Sequence, residues 1–122
     1  MLQKVISKHC SNLTIVGTAN TIADGIDLIY FEEPDLVFLD INIKEREIFE
    51  LLDYFNHPRF KIIFVSANEV YCDRCYSIGA DFILKPFGMN DVISSVYVAV
   101  KSISEKKYNY NLKKEKRKIH QN

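Results

Sequence analysis

The sequence predicts an α/β protein in which a parallel sheet is sandwiched between helices. Four short apolar runs, rich in β-branched or aromatic residues, alternate with segments of helical period. None of the runs alternates apolar with polar residues, so each reads as a strand buried on both faces, as in a parallel sheet. The order α-β-α-β-α-β-α-β-α implies right-handed crossovers that place helices over both faces.

Each element has its own warrant. Val5 and Ile6 suggest a short helix ahead of the first strand, Leu13–Val16 (LTIV). Ile22, Ile26 and Ile29 form one helical stripe, with Asn20-Thr21 as its N-cap. Leu36–Leu39 (LVFL) is the second strand. Ile48, Leu51, Leu52 and Phe55 make the next helix, and Ile62–Val65 (IIFV) the third strand. A weaker helix follows, read either on Val70, Arg74 and Ser77 or on Tyr71, Cys75 and Ile78, with Gly79 as its C-cap glycine. Phe82–Leu84 (FIL) is the fourth strand. Val92, Ile93, Val96, Val100 and Ile103 form the longest stripe, with Asn90-Asp91 as its N-cap.

Composition agrees with a soluble globular domain. The 122 residues are 48% hydrophobic and 26% charged, which excludes a disordered or collagen-like chain. No apolar run approaches the ~20 residues of a membrane span, and the N-terminus does not read as a secretory signal. Three cysteines do not form a disulfide framework, so a reducing, cytoplasmic setting is expected. Residues 1–100 carry eight Lys/Arg against fourteen Asp/Glu, a net −6, and residues 101–122 carry eight against two, a net +6. That shift places a domain over residues 1–104 and a basic tail or linker over 105–122.

In a parallel sheet the functional crevice lies beyond the C-terminal ends of the strands. Those ends bring together a carboxylate (Asp40), a hydroxyl (Ser66) and an ammonium (Lys85). A carboxylate can take a phosphoryl group as a nucleophile, and a hydroxyl and an ammonium beside it can bind the added oxygens. A single Asp after a strand is often only a turn former. The spacing of all three across consecutive strands is far more specific.

The motifs PDLVFLDIN (34–42), IIFVSA (62–67) and GADFILKPF (79–87) resemble the receiver domain of bacterial two-component response regulators. Their wording is most similar to receivers that precede LytTR-type DNA-binding domains. The resemblance runs from about Leu2 to about Ile103. It implies a flavodoxin-like (CheY-like) fold and a phosphorelay function. Asp40 would be the phosphoacceptor, Asn42 would offer a backbone carbonyl to Mg²⁺, and Lys85 would pair with the phosphoryl oxygens. Ser66 would move toward the phosphoryl group, Ala67 would leave room for it, and Phe82 would be the aromatic switch. Pro86 would follow Lys85 through a cis bond. A sensor histidine kinase or phosphotransfer protein is the implied donor, and the last helix a face for partners or for a homodimer. No membrane is implied, and contact with nucleic acid would require a separate output domain.

The chain departs from that pattern at its N-terminus. The family begins with a central strand ending in an acidic pair that binds Mg²⁺, and this sequence reads as truncated by that one strand. Glu32-Glu33, its one adjacent acidic pair, falls at the end of a helix, so Mg²⁺ binding is expected to be weak or lost. Three outcomes follow. Leu13–Ala19 pairs directly with Leu36–Leu39, or the first segment is loose, or the natural start lies upstream. Lys44 and Ile48 stand where the family often has Pro and Gly.

Other readings are weaker. Cys72 and Cys75 form a C-x-x-C on a helix, without the four ligands of a structural zinc site. His9, His57 and His120 are scattered. A nucleotide-cofactor protein would want a glycine-rich phosphate loop, and none of the four glycines forms one. The rival to phosphotransfer is a degenerate receiver that acts as a phosphorylation-independent interaction module.

Overall fold

The computed structural model describes residues 2–41, 45–55 and 59–120, with the backbone alone for 45–47 and 106–120. Its elements are α1 (Leu2–His9), α2 (Ile22–Glu32), β1 (Leu36–Asp40), α3 (Glu45–Tyr54), β2 (Lys61–Ser66), a 3-10 turn (Glu69–Tyr71), α4 (Cys72–Ser77), β3 (Asp81–Leu84) and α5 (Met89–His120). The strands form a parallel sheet in the order β1-β2-β3, with Asp40 opposite Val65 and Ser66 opposite Leu84.

Alternation along the strands builds two cores. Leu39, Ile62 and Phe64 face one side, where Ile29, Ile48, Phe49, Leu51 and Cys75 cover them. Ile63, Val65 and Ile83 face the other, against Val5, Ile6, Val92, Val96 and Ala99. β2 lies between both neighbours and is buried from Ile62 to Ser66. The apolar wording of its run reflects burial on both faces. On the first side Phe64 stacks on Phe49, and the Arg74 guanidinium lies 3.7 Å from the Phe49 ring centre.

The helix ends follow local chemistry. Thr21 caps α2 by accepting from the Asp24 N–H at 3.1 Å. Gly79, at φ +79°, ends α4: its N–H donates to the Tyr76 carbonyl and the Ala80 N–H to the Cys75 carbonyl. That pair of bonds is a Schellman motif, which needs the left-handed backbone glycine supplies. Asp91 accepts from the Gly88 N–H and fastens the start of α5. In the weaker helix the buried stripe is Tyr71 and Cys75. Val70 and Ile78 are exposed.

One expected strand is not formed. Leu13–Val16 belongs to no ladder, and Ile15 and Val16 are 43% and 48% exposed. Its sequence suits a strand, but a strand exists only where a neighbour satisfies its N–H and C=O groups. β1 pairs only with β2 among the described residues, so Leu13–Ala19 does not take the place beside it. The first segment is nevertheless seated, with Val5, Ile6 and Cys10 buried against α5. The backbone of α5 runs on without a break to His120, and Val92, Val96 and Ala99 are its buried residues among those whose side chains are described.

Candidate functional site

The register brings the strand-end residues together. The ladder continues one residue past each strand: the Ile41 N–H donates to Val65 and the Lys85 N–H to the Ser66 carbonyl, at 2.9 and 2.8 Å. This puts Asp40, Ser66 and Lys85 on one edge of three adjacent strands. Outer strands of such a trio lie roughly 9–10 Å apart. The long lysine stem spans that distance, and Lys85 Nζ reaches Asp40 Oδ2 at 2.7 Å.

The Lys85 and Asp40 side chains are 31% and 57% exposed, so the pair stands at the surface, open to a reactant. Ser66 is fully buried, and its hydroxyl accepts from the Asn68 N–H at 3.1 Å. Ala67 and Pro86 are exposed beside it, and the Lys85–Pro86 bond is cis. Phe82 is half-buried and packs against the Phe64 side of the sheet. Asn42 lies outside the described residues. Asn68 lies at the same strand end but carries no role in the sequence reading: its N–H bonds to Ser66, and its Oδ1 accepts from the Val70 N–H. Asn two residues after a strand-end serine is the signal that would have found it.

Glu32 and Glu33 are exposed at the end of α2, which leads into the opposite end of β1. Among the described residues no group of three His, Cys, Asp or Glu side chains gathers to hold a metal ion. Asp40 offers one carboxylate, and Lys85 already occupies its Oδ2. Mg²⁺ asks for near-octahedral oxygen ligation. The described donors do not fit a resident ion.

The profile of the response regulator receiver domain matches residues 1–97. The chain belongs to the response regulator receiver family. The receiver is 27% identical over 107 residues to the sensory transduction protein LytT of Enterococcus faecalis, covering 85% of this chain and 44% of that protein. It is 28% identical over 98 residues to LytT of Bacillus anthracis, covering 76% and 39%. The chain therefore spans under half the length of these relatives. Among solved structures it is similar to the response regulatory domain of mrkE from Klebsiella pneumoniae, with a TM-score of 0.71, 25% identity and 85% and 87% of the two chains covered. The signal receiver domain of a Luxo repressor protein from Vibrio parahaemolyticus shares the fold, with a TM-score of 0.74, 20% identity and 88% and 84% covered. The flavodoxin-like fold expected from the sequence is thus borne out, with three strands in the sheet among the described residues.

Receivers of this family are signalling domains of two-component systems and typically bind Mg²⁺ at an acidic site. No helix among the described residues is long and apolar enough to cross a membrane.

Proposed function

We propose that this receiver accepts a phosphoryl group on Asp40 from a sensor histidine kinase or phosphotransfer protein in the cytoplasm, and so switches a partner-binding surface. The 2.7 Å contact between Lys85 and an exposed Asp40 carboxylate carries the reading. In the reaction an Asp40 carboxylate oxygen attacks phosphorus. The new P–O bond forms as the P–N bond to the donor imidazole breaks, and the imidazole leaves with a proton from solvent. Lys85 would then turn from the carboxylate to a phosphoryl oxygen as its ion partner. Ser66 would exchange its bond from the Asn68 N–H for one to the phosphoryl group, beside the space left by Ala67. Pro86 would shape the lysine loop, and the move of Ser66 would free Phe82 to rotate.

The switched surface would be the face of α4, β3 and α5, used by a partner or a second copy. The basic residues 105–122 would serve as tail or linker to the domain over 1–104. Contact with nucleic acid belongs to a separate output domain of the kind that longer LytT-type proteins have room for.

Intact mass after incubation with phosphoramidate, with and without Mg²⁺, tests this. The expected result is one phosphoryl adduct on the folded wild type and none on Asp40→Asn. No adduct on a folded chain would overturn phosphotransfer. A second reading, a phosphorylation-independent interaction module, is favoured by the donor set at Asp40, which does not fit a resident Mg²⁺.

A further inference from the structure

A groove of about 540 Å³ runs along α2, lined by Ala19, Asp24, Asp27, Leu28, Phe31 and Glu32. The segment 17–19 comes close to the helix because Gly17 has no side chain: a Cβ there would stand 2.6 Å from Leu28. Leu28 is half-buried, and Phe31 stands 85% exposed. An aromatic ring so open to water gains by being covered. The groove residues of α2 recur at helical spacing and form one stripe about 12 Å long. Three of them are exposed carboxylates, Asp24, Asp27 and Glu32. The chain has no Lys or Arg between Lys8 and Lys44, against six Asp/Glu, so this face is acidic by its own sequence.

We infer that this groove receives the basic stretch 105–122 of a second copy of the chain. Charge complementarity names the occupant. Residues 105–122 hold seven Lys/Arg against two Glu, and the backbone there is helical to His120. The sequence sets Tyr110, Lys113, Lys114 and Arg117 at the same i, i+3, i+4, i+7 spacing as Asp24, Asp27, Leu28 and Phe31. Laid antiparallel, the two stripes bring position 117 opposite 24, 114 opposite 27 and 110 opposite 31. Opposite charges then meet along the stripe, and an aromatic position meets the exposed Phe31. The occupant belongs to another copy because the groove of the same copy is out of reach. Through Ile29, α2 packs on one side of the sheet, and α5 packs on the other through Val92, Val96 and Ala99. An unbroken helix does not turn back across the sheet. Each copy offers one groove and one basic stretch, so a two-fold dimer satisfies both. The contact lies on α2 and does not depend on phosphorylation of Asp40.

Sedimentation equilibrium of the 122-residue chain, with two charge-reversed variants, tests this. One variant reverses the groove (Asp27→Lys with Glu32→Lys) and the other reverses the basic stretch (Lys113→Glu, Lys114→Glu and Arg117→Glu). Circular dichroism checks that each is folded. The wild type should dimerise, with affinity falling about tenfold between about 0.05 and 0.5 M NaCl, as exposed charge pairs are screened. Each variant alone should stay monomeric at the same concentration, and their equimolar mixture should recover the dimer, because both contacts again pair opposite charges. Phe31→Ser should weaken association severalfold. A wild type that is monomeric at low salt up to about 1 mM, undiminished self-association of either folded variant, or a mixture that stays monomeric would overturn the assignment. The measurement uses no phosphodonor, so its failure leaves phosphorylation at Asp40 untouched.

Discussion

Replacing Lys85 by Met separates a structural role of the Asp40–Lys85 contact from a chemical one. Met keeps much of the apolar stem and removes the charge. At 31% and 57% side-chain exposure the pair is well solvated, and an ion pair in that setting is worth no more than about 1 kcal/mol. Unfolding should therefore shift by at most roughly 4 °C at this chain length. The chemical role is larger. A charge-assisted hydrogen bond to a phosphoryl oxygen contributes about 1.5–3 kcal/mol, and at about 1.4 kcal/mol per tenfold its loss slows adduct formation roughly ten- to hundredfold. Thermal melts followed by circular dichroism would give the first number. A time course of intact mass with a fixed concentration of phosphoramidate would give the second. Equal adduct rates in the two proteins would refute the role assigned to Lys85. So would a loss of stability well above 1 kcal/mol, which would show the pair to be a structural strut.

Three further outcomes follow from the fold. Phe64→Ala should cost about 3–5 kcal/mol in denaturant unfolding, because Phe64 is fully buried in the central strand and stacked on Phe49; a loss under 1 kcal/mol would contradict the packing described. Gly79→Ala should cost about 1–2 kcal/mol through backbone strain alone, since nothing lies within 4 Å of the added Cβ, and Glu33→Gly, at φ 45°, should stabilise by a comparable or smaller amount; urea titration of both tests the sign. Burial pushes the fully buried Cys75 thiol from 9.0 up to about 11, so the folded state holds this proton more tightly than the unfolded chain. Its contribution to stability is therefore intact below pH 9 and lost as pH rises from 9 through 11. Melts across that range should fall more steeply for wild type than for Cys75→Ala, and parallel curves would contradict the shift.

Much of the fold was legible in residues 22–103. The runs LVFL, IIFV and FIL became β1, β2 and β3 because apolar strands of a parallel sheet are read by composition alone. The stripe Val92, Val96 and the burial of Ile48 and Leu51 followed from helical period. Thr21 and Gly79 took their expected caps, since capping is a local matter of side-chain acceptors and backbone φ. The candidate site was legible for a related reason. Strand-end positions are fixed by strand length, so Asp40, Ser66 and Lys85 had to share one edge once the strands were parallel and adjacent.

Tertiary structure decided the rest. LTIV has the composition of a strand, but strand formation depends on a partner that supplies donors and acceptors, and Leu13–Ala19 finds none among the described residues. Composition cannot report that, because β propensity measures fit to a sheet and says nothing of whether the sheet has a place beside it. The direct bond between Lys85 and Asp40 required the register of all three strands. The burial of Ser66, the Asn68 bond that holds it, and the unpartnered oxygen of Asp81 depend on which groups α4 and α5 bring against the sheet. Sequence period fixed which residues faced inward, and only the packed structure determined which of them met.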